Sequence, residues 1–112
     1  MKILFVCLAN WRRSRTAMEF FRAKFPEIEF DSCGVVEMFV ESTKKQFPDA
    51  KVCTQELINE ADVTIAMDSV VYGWLEQNFQ VPATRLRRWY VEDIYDYNSD
   101  ELKDVLLQCL WL

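Results

Sequence analysis

A cysteine and an arginine six positions apart, Cys7 and Arg13, are the residues whose types and spacing best suit chemistry on an anion. An apolar run, residues 3–6, precedes the cysteine, and helical spacing of apolar residues follows Ser14. A loop between a buried strand and a helix start can direct its backbone N–H groups toward an anion. The same field, together with the Arg13 guanidinium, favours thiolate over thiol. The pattern predicts an anion cradle with a sulfur nucleophile at its floor, suited to attack on a phosphate ester.

Three side chains of this loop have a predicted task. The planar fork of Arg13 can hold two non-bridging phosphate oxygens and follow them as charge develops. The Ser14 hydroxyl can donate to the sulfur and ease its departure in a second step. Asn10 tolerates the positive φ that a tight loop needs. The predicted phosphate-binding residues are Leu8, Ala9, Asn10, Trp11, Arg12, Arg13 and Ser14.

Length and composition fit one globular domain, residues 1–112, because 51% of the residues are hydrophobic and 28% are charged. The longest apolar run, residues 3–9, is far shorter than the ~20 residues of a membrane span, so no membrane partner is expected. The net charge of −5 argues against nucleic acid, whose backbone selects basic surfaces.

The four cysteines indicate a reducing location. They are widely spaced without a Cys-x-x-Cys pair, and the chain has no histidine, so neither zinc nor another metal is expected. We predict reduced thiols and a cytoplasmic protein, with Cys33, Cys53 and Cys109 as small core residues. Trp74, Trp89 and Trp111 are expected in the core or at its edge.

The elements that must position the loop alternate between strand and helix. Periodicity and cap residues predict strands at 2–6, 28–32, 62–67 and 86–91, and helices at 14–24, 54–61, 68–79 and 99–110. Residues 35–51 carry a poor signal and are predicted as mostly loop. Such alternation predicts right-handed βαβ units, a small doubly wound parallel sheet and a ligand site beyond the carboxyl ends of its strands. Cys7, Asp68 and Asp93 are expected at that edge.

Several segments of the sequence resemble those of a known family. Residues 6–14 are similar to the signature loop of the low-molecular-weight protein tyrosine phosphatases, Val-Cys-x-x-Asn-x-x-Arg-Ser. Residues 31–34 fall where the family has its Ser-Ala-Gly turn, and residues 60–68 resemble its third strand with a Met-Asp ending. Residues 92–95 resemble its acid loop, and Tyr95-Asp96-Tyr97 is similar to that loop in a compact subgroup.

The resemblance implies a fold and an activity. The fold is a three-layer α/β domain of the phosphotyrosine phosphatase I type, with a four-stranded parallel sheet in the order 2-1-3-4. The activity is that of a protein-tyrosine-phosphatase, a phosphoric monoester hydrolase that uses no cofactor. It would act on a phosphotyrosine-containing protein or a small aryl phosphate through a cysteinyl-phosphate, and release inorganic phosphate.

The resemblance also assigns residues. Cys7 is the nucleophile, Arg13 binds the transferred group, and Asp93 is the acid that later acts as base, with Asp96 as the second candidate. Ser32 is expected to support the loop by bonding to Asn10. Trp11, Tyr95 and Tyr97 are expected to wall the cleft against a substrate ring.

Four positions depart from the family pattern. Ala9 replaces a glycine of the loop, and Arg12 replaces its second cysteine, which removes the usual disulfide partner of Cys7. Arg15 replaces the proline after Arg-Ser and is expected to add charge at the rim. Ile94 replaces the proline after the acid. None of these changes removes a predicted catalytic group.

Three other activities fit parts of the pattern. An arsenate reductase on the same fold needs further cysteines within reach of Cys7, and Cys33 is the nearest in sequence. A transport-system phosphocarrier also carries a phosphocysteine after its first strand, but it requires neither Asp93 nor Arg13 in this register. A phosphate- or phosphopeptide-binding module without turnover is favoured by the departures at Ala9 and Ile94.

Overall fold

The computed structural model describes residues 1–110 and contains a four-stranded parallel sheet flanked by helices. The strands are β1 (Lys2–Cys7), β2 (Glu29–Gly34), β3 (Val63–Ala66) and β4 (Leu86–Arg88). The helices are α1 (Arg13–Lys24), α2 (Glu37–Thr43), α3 (Gln55–Glu60), α4 (Ser69–Asn78) and α5 (Asp100–Cys109). The sheet order is β2-β1-β3-β4, so the predicted α/β architecture and strand order are confirmed.

Alternation along β1 divides the core between the two faces of the sheet, because successive strand side chains project in opposite directions. Phe5 and Cys7 pack with buried residues of α1 and α5. Leu4 and Val6 pack with buried residues of α3 and α4. The central strand is therefore covered on both sides, as its continuous apolar sequence predicts.

Side-chain caps define most of the helix starts. Thr54, Asp68 and Ser99 each accept a hydrogen bond from the backbone N–H three residues later, as their sequence positions predict. The prediction that Ser14 begins α1 is wrong, since the N-cap position is Arg12 and the helix already includes Arg13. Ser14 instead directs its hydroxyl toward Cys7.

The interval 35–51 contains a helix where the sequence predicts mostly loop. The helix α2 is seven residues long and follows Val36, a residue whose side chain has no oxygen with which to cap it. Its stability comes from tertiary packing, since Val40 is fully buried beside Gly34. A short helix of this kind gives little local signal.

Two further differences concern strand ends and tryptophans. β4 ends at Arg88 and not at residue 91, although the N–H groups of Trp89 and Val91 still bond to the carbonyls of Ala66 and Met67. Trp89 is buried, whereas Trp74 is 43% exposed, and Trp111 lies outside the described residues. Among the helices of residues 1–110, none has the length and apolar character required to cross a membrane.

Candidate active site

Cys7 ends β1 and is almost fully buried at the start of the predicted loop. Its Sγ atom lies 2.9 Å from the Oγ atom of Ser14. Ser14 Oγ accepts a hydrogen bond from Asn10 Nδ2 at 3.1 Å, so its own proton is available to donate. The nearest acceptor is the sulfur, since the carbonyl oxygen of Cys33 is at 3.5 Å. Ser14 is thus placed to stabilise a Cys7 thiolate.

Asn10 holds the loop in shape, as the sequence predicts. It has a φ of 53°, in the left-handed region that asparagine tolerates better than most residues. Its Nδ2 also donates to Ser32 Oγ at 2.8 Å, so the predicted bond between these residues is present. Its Oδ1 accepts the backbone N–H of Lys51 at 3.1 Å, which fixes the orientation of the amide.

Arg13 is buried to 2% exposure at the first residue of α1. Its Nη1 donates to Asp68 Oδ2 at 2.6 Å and to the carbonyl oxygen of Val91 at 3.0 Å. These two bonds use both hydrogens of Nη1. Within residues 1–110 the guanidinium makes no other hydrogen bond, so its Nε and Nη2 edge is left for a bidentate oxyanion, with a carboxylate oxygen of Asp93 3.6 Å from Nε.

Cys7, Arg13 and Asp93 lie around one cavity of about 230 Å³. A carboxylate oxygen of Asp93 is 3.6 Å from Arg13 Nε, and its side chain is 54% exposed. The carboxylate therefore reaches both the guanidinium and solvent. The cavity is lined by Cys7, Leu8, Ala9, Trp11, Arg12, Arg13, Phe39 and Asp93.

The solved structures that resemble this chain share its fold over nearly all of its length. The low-molecular-weight protein tyrosine phosphatase from T. tengcongensis is 26% identical, with a TM-score of 0.73, covering 97% of this chain and 92% of the other. The chain has the low-molecular-weight protein tyrosine phosphatase fold. No protein-family model and no curated protein matches the sequence.

Two other structures with the phosphatase fold carry information about ligands. A cysteine-to-serine mutant of the YwlE arginine phosphatase with a phosphorylated active-site serine is 21% identical, with a TM-score of 0.73 and coverage of 96% and 92%. The tyrosine phosphatase Wzb from Escherichia coli K30 in complex with phosphate is 17% identical, with a TM-score of 0.72 and coverage of 96% and 91%.

The sequence assignments missed one residue of the cavity and one contact of a predicted residue. Phe39, on α2, lines the cavity, and the sequence could not show this because α2 itself was not predicted. Asp68 was predicted as a helix cap at the ligand edge, and its second oxygen also holds Arg13. The Met-Asp ending of the third strand was the available signal for that contact.

Among the predicted cleft aromatics, only Trp11 lines the cavity. Tyr95 packs against the core that contains Phe5 and Cys7. Tyr97 donates its hydroxyl to Glu19 and lies against the ring of Phe47, at 4.9 Å between centroids. Contrary to the expectation that both tyrosines wall the cleft, neither lines the cavity.

Asp96 lies apart from the cavity lining, and its carbonyl oxygen accepts the N–H of Ser99 at the start of α5. Asn10 and Ser14, which the sequence places among the phosphate-binding residues, do not line the cavity. Their side chains bond to each other, and Ser14 contacts Cys7.

Arg15 is the largest departure from its predicted place. Instead of adding charge at the rim, it is buried to 2% exposure in the first turn of α1. Its Nη1 donates to both carboxylate oxygens of Asp49, at 3.0 and 3.2 Å. The hydrogen bond from Arg15 lowers the pKa of Asp49.

The other three cysteines are buried, as predicted. Burial, and then the neighbouring Cys53 thiol, raise the pKa of Cys33 well above its usual value. Burial also raises the pKa of Cys109. Cys33 and Cys53 belong to the core on the sheet face opposite to Cys7.

A larger cavity, of about 1110 Å³, lies where β3 and β4 begin. Its lining is mostly neutral, with Gln55, Asn59, Thr64 and Gln80 among its polar residues, and Arg85 is the one charged residue among the described residues that line it. The smaller cavity is the better active-site candidate, because a thiol, a guanidinium and a carboxylate converge there.

Proposed function

We propose that residues 1–112 form one phosphatase domain that hydrolyses aryl phosphate monoesters through a cysteinyl-phosphate. The observation that carries this proposal is the convergence of Cys7, Arg13 and Asp93 on one cavity. A nucleophile, an oxyanion holder and a proton donor are the three groups that this reaction requires. The phosphatase neighbours support the same reaction class.

In the first step the Cys7 thiolate attacks phosphorus. A sulfur–phosphorus bond forms and the bond from phosphorus to the leaving oxygen breaks. The open edge of Arg13 binds two non-bridging oxygens, and the backbone N–H groups of the loop bind the developing charge. Asp93, in its protonated form, donates its proton to the leaving phenolate.

In the second step Asp93, now a carboxylate, takes a proton from a water molecule. The water oxygen attacks phosphorus, the sulfur–phosphorus bond breaks, and inorganic phosphate leaves. The Ser14 hydroxyl, 2.9 Å from the sulfur, stabilises the departing thiolate. Asp93 therefore donates the proton in the first step and accepts one in the second.

The substrate class follows from the cavity walls. Trp11 and Phe39 present aromatic surface next to the phosphate cradle, which suits the ring of a phosphotyrosine residue in a protein. One neighbour is described as an arginine phosphatase, so phosphoarginine is the comparison substrate. We expect a higher kcat/KM on a phosphotyrosine peptide than on the matching phosphoarginine peptide.

Hydrolysis of p-nitrophenyl phosphate tests the proposal. Wild-type protein should turn over with inhibition by vanadate, and Cys7→Ser should remove turnover while phosphate still binds. Cys109→Ser is the matched control, because this buried thiol lies on α5 and should leave kcat unchanged. Absence of vanadate-sensitive turnover in the wild type, with phosphate binding retained, would favour a binding module.

The arsenate reductase alternative requires two further cysteines that reach Cys7. Two of the three others, Cys33 and Cys53, belong to the core on the opposite face of the sheet. This separation disfavours a thiol relay.

A further inference from the structure

We propose that Arg15 is a positioning residue that joins the phosphate-binding loop to the acid loop. The inference rests on the proposed function and deepens it, because it concerns how the same site keeps its shape. Arg15 contacts neither the cavity nor a reacting atom among the described residues. It is nonetheless buried, and long charged side chains are seldom buried without a specific set of partners.

The first partner is the phosphate-binding loop. Arg15 Nε donates to the carbonyl oxygen of Asn10 at 3.3 Å. The peptide bond that follows is trans, so the N–H of Trp11 points away from this carbonyl. Holding the carbonyl at Arg15 therefore fixes the direction of a loop N–H group whose residue lines the cavity.

The second partner is the segment between α2 and α3. The guanidinium carbon of Arg15 lies 4.4 Å from the centre of the Phe47 ring, and Asp49 receives the hydrogen bonds of Nη1. The cation–π contact with Phe47 and the ion pair with Asp49 hold the guanidinium in one orientation. That orientation is the one in which Nε meets the Asn10 carbonyl.

The third partner is Glu19 on α1, through which the contacts reach the acid loop. Tyr97 packs on Phe47 and donates to Glu19, whose other oxygen lies 4.0 Å from Arg15 Nη1. Burial, and then the Glu19 carboxylate, raise the pKa of Tyr97 to about 12, so its hydroxyl remains a donor at neutral pH. A chain of contacts therefore leads from the loop that holds Cys7 to the loop that holds Asp93.

The position of Arg15 explains why a residue other than the family's proline can stand after Ser14. Proline has a fixed φ and no side-chain donor. Arginine in its place donates hydrogen bonds to Asn10 and Asp49 from one rigid group, with a Glu19 carboxylate oxygen 4.0 Å away. We infer that Arg15 determines both the affinity of the loop for phosphate and the approach of the acid.

Calorimetric binding of inorganic phosphate to the full chain tests the loop connection without requiring turnover. Arg15→Gln should weaken phosphate binding about tenfold, the cost of one charge-assisted contact. Arg22→Gln is the matched control. Arg22 is on the same helix and donates to a carbonyl, that of Phe30, but it lies away from the loop. It should bind phosphate as the wild type does.

The acid-loop connection is tested with Tyr97→Phe, which keeps the ring on Phe47 and removes only the bond to Glu19. We expect a several-fold lower kcat on p-nitrophenyl phosphate with phosphate affinity unchanged. This variant also decides the inference if Arg15→Gln does not fold. A wild-type kcat in Tyr97→Phe, or wild-type phosphate affinity in a folded Arg15→Gln, would overturn the proposal.

The two proposals fail in different ways. If wild-type protein binds phosphate without hydrolysing it, the proposed function fails, and the affinity of Arg15→Gln still decides the role of Arg15. If wild-type protein hydrolyses the ester and the Arg15 and Tyr97 variants match it, the positioning role alone fails. If wild-type protein neither binds nor hydrolyses, both fail.

Discussion

Arg13 and Asp68 form an ion pair of 2.6 Å that joins the start of α1 to the start of α4. The same Asp68 carboxylate caps α4 through its other oxygen, which accepts the N–H of Val71 at 2.8 Å. One side chain therefore fixes a helix and orients the guanidinium that faces the cavity. This double contact leads to the first prediction.

Two replacements of Asp68 should separate its contact with Arg13 from its capping of α4. Asp68→Ser retains a capping oxygen but is too short for Arg13, so kcat on p-nitrophenyl phosphate should fall by about 10- to 100-fold, and stability should fall because the buried guanidinium loses its carboxylate partner. Asp68→Ala should lose the same activity and about 1 kcal/mol more of unfolding free energy than Asp68→Ser, because it also lacks the cap. Steady-state kinetics and denaturant titration measure the two effects. Wild-type kcat in Asp68→Ser would show that Arg13 is oriented by other contacts.

Replacement of each acid-loop aspartate by asparagine tests which one transfers the proton. Asp93 lies at the cavity, 3.6 Å from Arg13, whereas Asp96 lies beside the start of α5. Asp93→Asn should lower kcat on the order of 10²-fold or more, because the amide cannot donate as an acid. Asp96→Asn serves as the control and should retain kcat. The reverse pattern would reassign the acid.

The two glycines of this chain should respond in opposite directions to alanine. At Gly34 a methyl group would lie 2.6 Å from Val40 Cγ2 and 2.7 Å from the backbone nitrogen of Asn10. Gly34→Ala should cost about 1–3 kcal/mol of unfolding free energy and weaken phosphate binding, since the loop must move.

Gly73 is the control for this change. It lies within α4, and among the described residues no neighbour would come within 4 Å of the added methyl group. Gly73→Ala should raise the unfolding free energy by about 0.5–1 kcal/mol with unchanged kcat. Equal stability changes in both variants would contradict the close approach of β2 to the loop.

Alkylation should distinguish Cys7 from Cys33 and Cys109. Burial raises the pKa of Cys33 and of Cys109, so both should resist iodoacetamide in the native protein. Cys7, beside the open cavity, should react first, and phosphate should protect it. Peptide mass mapping after brief labelling identifies the modified site. Labelling of Cys33 before Cys7 would contradict this order.

The contact of Arg15 with Asp49 should make stability depend on pH in the acid range. The pKa of Asp49 in the folded chain is lowered from 3.8 by the Arg15 hydrogen bond. A lowered pKa means that the stabilisation is present above about pH 3.8 and is lost as the pH falls through the lower folded value. Asp49→Asn should be less stable than wild type at pH 6, and the difference should shrink on acidification below this range. A constant difference would exclude the contact.

Much of the site could be predicted because its signal is local. Cys7, Asn10, Arg13 and Ser14 lie within eight consecutive residues that run from the end of β1 to the start of α1, and this strand and helix are visible as an apolar run and a helical period. The loop features depend on neighbours in sequence. The sheet order, in contrast, was implied by the family resemblance of the loop motif and the later strand endings.

Residues that meet only through tertiary packing were missed or misplaced. Phe39 reached the cavity because α2 forms against Gly34, and no cap residue marks its start. Tyr97 was predicted at the cleft but turns to Glu19 and Phe47. Such contacts are selected by the free energy of burial and hydrogen bonding in the assembled core, not by local propensity.

By itself the sequence indicated the groups that could act on a phosphate: a thiol at the end of a buried strand and a guanidinium six residues on, with an acid later in the chain implied by the family resemblance. Only the tertiary structure decided where the remaining charges lie. Arg15 is buried next to the loop, where it finds the several acceptors that a buried guanidinium requires. Asp93 lies at the cavity with half of its side chain exposed. Those acceptors, Asn10 and Asp49, come together only when the chain is folded.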